Sequence, residues 1–155
     1  MDINTIKPNL TILRAISGAG KSRLAQTVAP LAVVCSADDH FMVDGEYRFD
    51  PSQLSEAHGA CFRKAVEALQ AGVDVVIDNT NTSTAEVAPY VAMGQAYADR
   101  VRIIRIDCDP EVAHARNGHG VPLWVVLAMA DRLKSEPLPP FFPAEEVVKA
   151  WMPEE

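Results

Sequence analysis

Short apolar runs alternate with amphipathic helical segments along almost the whole chain, which predicts an α/β fold around a parallel sheet. Two further observations sharpen that expectation. The first apolar run, Asn9 to Ile16, passes into the turn Gly-Ala-Gly-Lys-Ser at 18–22, and the turn opens a helix at Lys21. A later run, Val75-Val76-Ile77, ends in Asp78, which puts a carboxylate at the tip of a second buried strand. Ligands of open parallel sheets bind at the carboxyl ends of strands, so the residues at those ends are the candidates for chemistry.

The elements follow in order. Asn9 to Ile16 is the first strand and Lys21 to Ala29 its helix, stopped by Pro30. Leu31 to Ser36 reads as a short buried strand ending in Ala37-Asp38-Asp39. Phe41 to Phe49 reads as a hairpin, because Asp44-Gly45 is a type I′ turn signal between two alternating arms. Asp50, Pro51 and Gln53 occupy the N-cap, N1 and N3 positions of a helix that places Leu54, Cys61, Phe62, Ala65 and Leu69 on one face and stops at Gly72. Val73 to Asp78 is the next strand. Ser83-Thr84-Ala85-Glu86 is a capping box for a helix running to about Asp99 through Pro89. Val101 to Ile106 is a strand, Asp109-Pro110 caps a short helix, and Val121-Pro122 begins a helix through about Lys134. The segment Glu136 to Pro143 is extended and proline-rich, expected to pack on the body through Phe141, Phe142 and Trp151, with a short helix from Ala144 to Trp151.

A chain of 155 residues with 48% hydrophobic and 23% charged residues is expected to form one globular domain, its core at about 10–135 and a proline-rich extension over 136–155. The opening Met1-Asp2-Ile3-Asn4 has no basic region and no long apolar stretch, so neither a signal peptide nor a membrane helix is expected. Cys35, Cys61 and Cys108 lie far apart without C-x-x-C spacing, which fits reduced thiols and a cytoplasmic setting. A net charge of −7 argues against a basic surface gripping long stretches of nucleic acid. It leaves room for a local positive pocket that takes a strand end or a nucleotide.

The chemistry centres on the first turn. Successive backbone N–H groups over Ser17, Gly18, Ala19, Gly20, Lys21, Ser22 and Arg23, together with the helix N-terminus, form a cradle for phosphate oxygens. Lys21 is expected to reach the β- and γ-phosphates of a nucleoside triphosphate, and the Ser22 hydroxyl to be a ligand for Mg2+. Ala15 stands where the first glycine of the phosphate-loop pattern belongs, a change that the backbone tolerates unless φ there is positive. Asp78 is the second metal ligand, and Asp38 is placed to accept a proton from an attacking hydroxyl. Asp39, Phe41, Tyr47, Arg48, Asn79 and Asn81 are the candidates for holding the acceptor. Arg116, in the polar run before Val121-Pro122, is the candidate lid cation, with Gly118 and Gly120 supplying mobility. His58 reads as a core or hydrogen-bonded structural residue, and His40 and His114 carry no metal spacing.

Gly-Ala-Gly-Lys-Ser at 18–22, Ser-Ala-Asp-Asp at 36–39, Asp-Gly-Glu-Tyr-Arg-Phe at 44–49, Ile-Asp-Asn-Thr-Asn at 77–81 and Arg-Asn-Gly-His-Gly-Val-Pro at 116–122 follow one another in an order that resembles P-loop kinases related to polynucleotide 5′-hydroxyl kinases, and is also similar to zeta-toxin-like kinases. The resemblance implies a three-layer α/β/α P-loop NTPase fold with about four to five strands. It also implies ATP and Mg2+ as cosubstrates, Asp38 as base and Arg116 as lid arginine. Ser17 and Arg23 depart from the proline and threonine common in that loop, and no arginine follows Asp38 closely enough to hold an acceptor phosphate. The resemblance makes a polynucleotide 5′-hydroxyl the first acceptor to consider, and the missing arginine keeps others in view. A hydroxymethyl group on a modified pyrimidine in DNA, as handled by similar kinases of some bacteriophages (which would put the protein in the host cytoplasm), is the second. A small-molecule kinase and a non-catalytic nucleotide-binding module are the remaining alternatives.

Overall fold

The computed structural model describes residues 7–153, so the reading of Met1 to Asn4 lies outside the described residues. Its elements are β1 (Asn9–Arg14), α1 (Lys21–Val28), β2 (Val33–Cys35), β3 (Met42–Val43), β4 (Glu46–Tyr47), α2 (Leu54–Gln70), β5 (Val75–Ile77), α3 (Thr84–Tyr97), β6 (Arg100–Asp107), α4 (Pro110–Arg116), α5 (Leu123–Ser135) and β7 (Glu145–Lys149). Five strands form one sheet in the order β2-β5-β1-β6-β7, every neighbouring pair parallel. The chain leaves β1 toward one side for β5 and β2 and toward the other for β6 and β7. The crevice of such a switch point opens beside β1, where the glycine turn lies.

The apolar runs are continuous because both faces of the sheet are covered. Leu10, Ile12, Val75, Ile77 and Ile103 pack under α2 and α3 against Cys61, Ala65, Leu69, Val87 and Tyr90. On the other face Leu13, Val76 and Ile104 meet Ala25 of α1. A third cluster, Ala15, Ile16, Ala19, Ile106, Ala113 and Val126, fills the space between the glycine turn, α4 and α5. Each fully buried branched side chain contributes roughly 1.5–3 kcal/mol, so the strand ends carrying the polar residues rest on a firm base. The helix α3 begins with the expected capping box, in which the Ser83 hydroxyl accepts from the Glu86 N–H and the Glu86 carboxylate accepts from the Ser83 N–H. No helix among the described residues is long and apolar enough to cross a membrane.

Several expectations need correction. The expected helix over Ala144–Trp151 is instead the edge strand β7, paired with β6 from Ile103↔Glu145 to Asp107↔Lys149. Glutamates are poor strand formers, but these two have cations waiting on the adjacent β6 and on β1 beyond it. Glu146 takes a two-pronged contact from Arg102, at 3.0 and 2.8 Å, and Glu145 pairs with Arg105 at 3.2 Å and with the buried Arg14. Phe141 does not pack on the body but is 80% exposed, whereas Phe142 and Leu138 do join the core under α2 and α3. Leu31 lies outside β2 and is exposed, and Leu54 is exposed at the start of α2, whose buried face is Ala57, Cys61, Ala65 and Leu69.

Arg14 is the internal tie of this arrangement. Its guanidinium donates to the Asn81 carbonyl at 2.8 Å and the Thr82 carbonyl at 3.3 Å, and pairs with Glu145. Breaking one side of such a buried pair leaves an uncompensated charge. Glu145→Ala is expected to lower the unfolding free energy in urea by about 2–4 kcal/mol, while Glu146→Ala, half exposed, costs no more than about 1 kcal/mol. Equal losses for the two variants would rule out Arg14 as the tie.

Candidate nucleotide cleft and the chamber facing it

The turn after β1 is built on close backbone contacts. Ala15 is fully buried, its N–H donates to the Thr80 carbonyl at 3.0 Å, and its φ is not positive, so the backbone there needs no glycine. Gly18 does need one. Its φ is 87°, and a Cβ there would lie 2.0 Å from the Ala113 carbonyl oxygen of α4. Gly20, at φ 97°, is the N-cap of α1, leaving the first N–H groups of the helix free to face a ligand. Lys21 folds back so that its ammonium donates to the Ile16 carbonyl at 3.2 Å. Burial pushes that ammonium below the usual lysine range, against the pull of Asp78 and Asp38. Beside it the Ser22 hydroxyl donates to Asp78 Oδ2 at 2.7 Å, joining the end of β5 to the start of α1.

Asp38 sits on a short 3-10 turn, Ala37–Phe41, whose N-cap Ser36 accepts from the Asp38 N–H at 3.2 Å. Asn79, just past β5, receives the Ala37 N–H on its Oδ1 at 2.9 Å, which fixes that turn to the sheet. The hairpin β3–β4 then folds over it, its two-residue turn made by Asp44 (φ 52°) and Gly45 (φ 82°). Its Tyr47 hydroxyl donates to Asp38 Oδ1 at 3.1 Å. Burial first, and then the Asp38 carboxylate, push the phenol up to about 12, so it stays a donor at neutral pH. His119 comes from the loop between α4 and α5. Its ring lies flat on Tyr47, centroids 3.9 Å apart, and its Nδ1 is 3.4 Å from Asp38 Oδ2.

Two cavities meet at this point. One, about 660 Å³, runs along the glycine turn and is bordered by Gly18, Ser22, Arg23, Arg116 and Trp151. The other, about 440 Å³, opens under the hairpin between Phe41, Tyr47, Phe49, His58, Val125 and Met129. Ser17, Lys21, Asp38, Asp78 and His119 border both. They form the wall between the two spaces, and the expected base, lysine and metal carboxylate all stand in it.

The remaining candidates divide. Asp39 faces the larger cavity and lies 3.8 Å from Lys64 of α2. Phe41 is buried and forms edge contacts with Tyr47 and Phe49, so it serves as a wall of the smaller chamber. Asn79 lines that chamber too, with its amide committed to Ala37, Tyr90 and Cys61. Arg48 borders neither cavity and pairs with Glu46 in solvent. Asn81 is buried, holds the left-handed conformation (φ 47°) and donates to the Leu13 carbonyl at 2.8 Å, so it braces β1 from behind. Arg116 is turned to the chain end, donating to the Trp151 carbonyl at 2.9 Å. Arg23 lies 3.6 Å over the Trp151 ring. His58 is half-buried on the chamber wall, not in the core. Sequence reasoning missed His119 and Trp151. The only signal for His119 was its place in the 116–122 run, and Trp151 was hidden by the mistaken helix.

Fold and wall together define a P-loop kinase domain. The sequence matches the family of AAA domains over residues 10–119, and the chain belongs to that family. It is 38% identical over 120 residues to human NEDD4-binding protein 2, a match covering 72% of this chain and 7% of that much longer protein. Among solved structures, a chain of the Pnkp1/Rnl/Hen1 RNA repair complex superposes with a TM-score of 0.71 at 22% identity, covering 86% of this chain and 46% of that one. The AvrRxo1-ORF1:AvrRxo1-ORF2 complex with ATP gives 0.61 at 19%, covering 84% and 48%. At those identities the likeness is one of fold.

The turn's two unusual positions make opposite predictions. Gly18→Ala is expected to destabilise the protein by about 2–4 kcal/mol through the clash with Ala113 and the positive φ. Ala15→Gly is expected to cost no more than about 1 kcal/mol. Thermal unfolding of the two variants checks the ordering.

Proposed function

We propose that the chain is an ATP- and Mg2+-dependent kinase that transfers the γ-phosphate to a hydroxyl of a nucleic acid, with a polynucleotide 5′-hydroxyl as acceptor. One observation carries the reading: Lys21, Asp38 and Asp78 border both cavities, so a donor phosphate and an acceptor hydroxyl would meet across a single wall. The fold shared with the RNA repair complex favours a nucleic-acid acceptor, and the fold shared with the ATP-containing complex favours the donor.

In this mechanism the backbone of Ser17 to Arg23 holds the phosphates, and the outer faces of Trp151 and Arg23 supply a stacking wall for the base. Ser22 and Asp78 offer hard oxygen donors of the kind that would hold Mg2+. Bound there, the ion neutralises charge on the phosphates. Asp38 accepts the hydroxyl proton as the acceptor oxygen bonds to the γ-phosphorus. The bond to the β–γ bridging oxygen breaks, and ADP leaves with the electron pair. Lys21 offsets the negative charge that builds on the phosphoryl oxygens.

The smaller chamber favours a second acceptor. Phe41, Tyr47 and Phe49 line it, while its border includes no arginine and Lys21 as its one lysine. Such walls suit a neutral ring better than a strand end carrying a phosphate, which fits a hydroxymethyl group on a modified pyrimidine.

Incubation with γ-labelled ATP, Mg2+ and a panel of 5′-hydroxyl DNA, 5′-hydroxyl RNA and end-blocked DNA with hydroxymethylated bases separates these readings. Label on the 5′-hydroxyl strands is expected. Label confined to the end-blocked DNA establishes the second reading, and none on any strand moves the acceptor to small molecules. Asp38→Ala is expected to lower transfer at least about 100-fold while ATP still binds. Lys21→Ala is expected to lose transfer through weaker phosphate stabilisation, and near-normal turnover in that variant would remove the phosphate loop from the mechanism.

A further inference from the structure

Asp38 stands on a five-residue 3-10 turn with half of its side chain exposed, so its own backbone does little to fix the carboxylate. Two side chains from elsewhere do so. Tyr47 of the hairpin engages Oδ1, and His119 lies against Oδ2 while stacking face to face on Tyr47. The loop that presents His119 is itself set. The His119 N–H donates to Asn117 Oδ1 at 2.9 Å, the Asn117 amide donates to the Val121 carbonyl at 3.4 Å, and Gly120 takes the left-handed conformation (φ 69°). His119 also lies three residues beyond Arg116, in the same segment that borders the nucleotide cleft.

We propose that His119 is a positioning residue for Asp38, holding the base from the lid segment so that its free lone pairs face the acceptor hydroxyl. The proposal rests on the phosphotransferase reading above. A carboxylate has about four acceptor sites, so one contact on each oxygen orients the group and still leaves room for the acceptor proton. Because the same loop borders the cleft that takes the nucleotide, the geometry of the base is tied to the state of that segment. Nothing in the stacked ring requires His119 to touch substrate; it acts through Asp38 and Tyr47.

The test separates the ring from its nitrogen. His119→Phe keeps a ring against Tyr47 and removes Nδ1, while His119→Gln keeps a side-chain donor. With 5′-hydroxyl DNA and end-blocked hydroxymethylated DNA as probes, His119→Phe is expected to lower kcat about 10- to 100-fold, with KM for ATP and the melting temperature close to wild type. His119→Gln is expected to recover part of that loss. Wild-type kcat in His119→Phe overturns the proposal, as does a loss that appears in the KM for ATP and not in kcat, or a glutamine no better than phenylalanine. Where neither DNA is phosphorylated, Asp38-dependent hydrolysis of ATP, with water as acceptor, gives the same comparison. A wild-type protein without even that hydrolysis overturns the phosphotransferase reading and this one with it. Normal hydrolysis in His119→Phe overturns this one alone.

Discussion

A buried cation at the end of the central strand holds the site together. Arg14 is 1% exposed, and a guanidinium buried that deeply is costly unless its N–H groups find acceptors. Its partners are the carbonyls of Asn81 and Thr82, past the end of β5, and the carboxylate of Glu145 in β7. The strand that launches the phosphate loop is thereby tied to the segment after Asp78 and to the edge of the sheet. Asn81 returns the favour by donating to the Leu13 carbonyl, and Arg132 of α5 reaches the Thr82 hydroxyl at 2.9 Å. The β1–β5 pairing and this bracing together hold the two elements that carry Ser22 and Asp78, whose side chains meet at 2.7 Å.

What the bracing produces is a wall rather than a single pocket. In a doubly wound sheet the first crossover from the phosphate loop leads to β2, whose end lies one strand away, beyond β5. That topology sets Asp38 across from Lys21 with Asp78 between their strands. The hairpin inserted directly after Asp38 then roofs the second chamber. Its aromatic residues pack mainly on one another, so they shape the cavity, and the polar work falls to Tyr47. The flap covers the Tyr47 side of Asp38, and the carboxylate stays half exposed where the two cavities meet.

Much of this was legible in the sequence, and the failures have physical causes. Local signals with a strong mechanism gave the right elements: Gly-x-Gly-Lys-Ser at a strand end, Asp44-Gly45 in a hairpin, Ser83 with Glu86 at a helix start. The strand at Glu145–Lys149 was missed because the cations that pair with its glutamates, Arg14, Arg102 and Arg105, are forty or more residues away and leave no trace in local periodicity. The same distance effect misplaced Asn81. An asparagine three residues past the Asp78 strand end looks like a ligand, but its left-handed φ and the Leu13 carbonyl make it a brace. Arg48 is the nearest arginine after Asp38 in the sequence, yet its guanidinium borders neither cavity and pairs with Glu46 in solvent. His119 had no pattern of its own to be read.

The charge inventory of the larger cavity supports a role for a cation beside the donor in the proposed reaction. Its border carries Lys21, Arg23 and Arg116 against Asp38, Asp39 and Asp78, which comes to three positive and three negative groups. Side chains alone therefore present no net attraction to a triphosphate, and the whole chain, at −7, repels one. The attraction that remains lies in the unpaired N–H groups of the turn and the first turn of α1, which have no acidic residue among them to cancel their dipole. Those dipoles grip the phosphates at short range but do little for the charge facing Asp38 and Asp78. In the proposed reaction a divalent ion held by the Ser22 and Asp78 oxygens would remove that repulsion, and the carboxylate that would otherwise oppose the donor would help to anchor it.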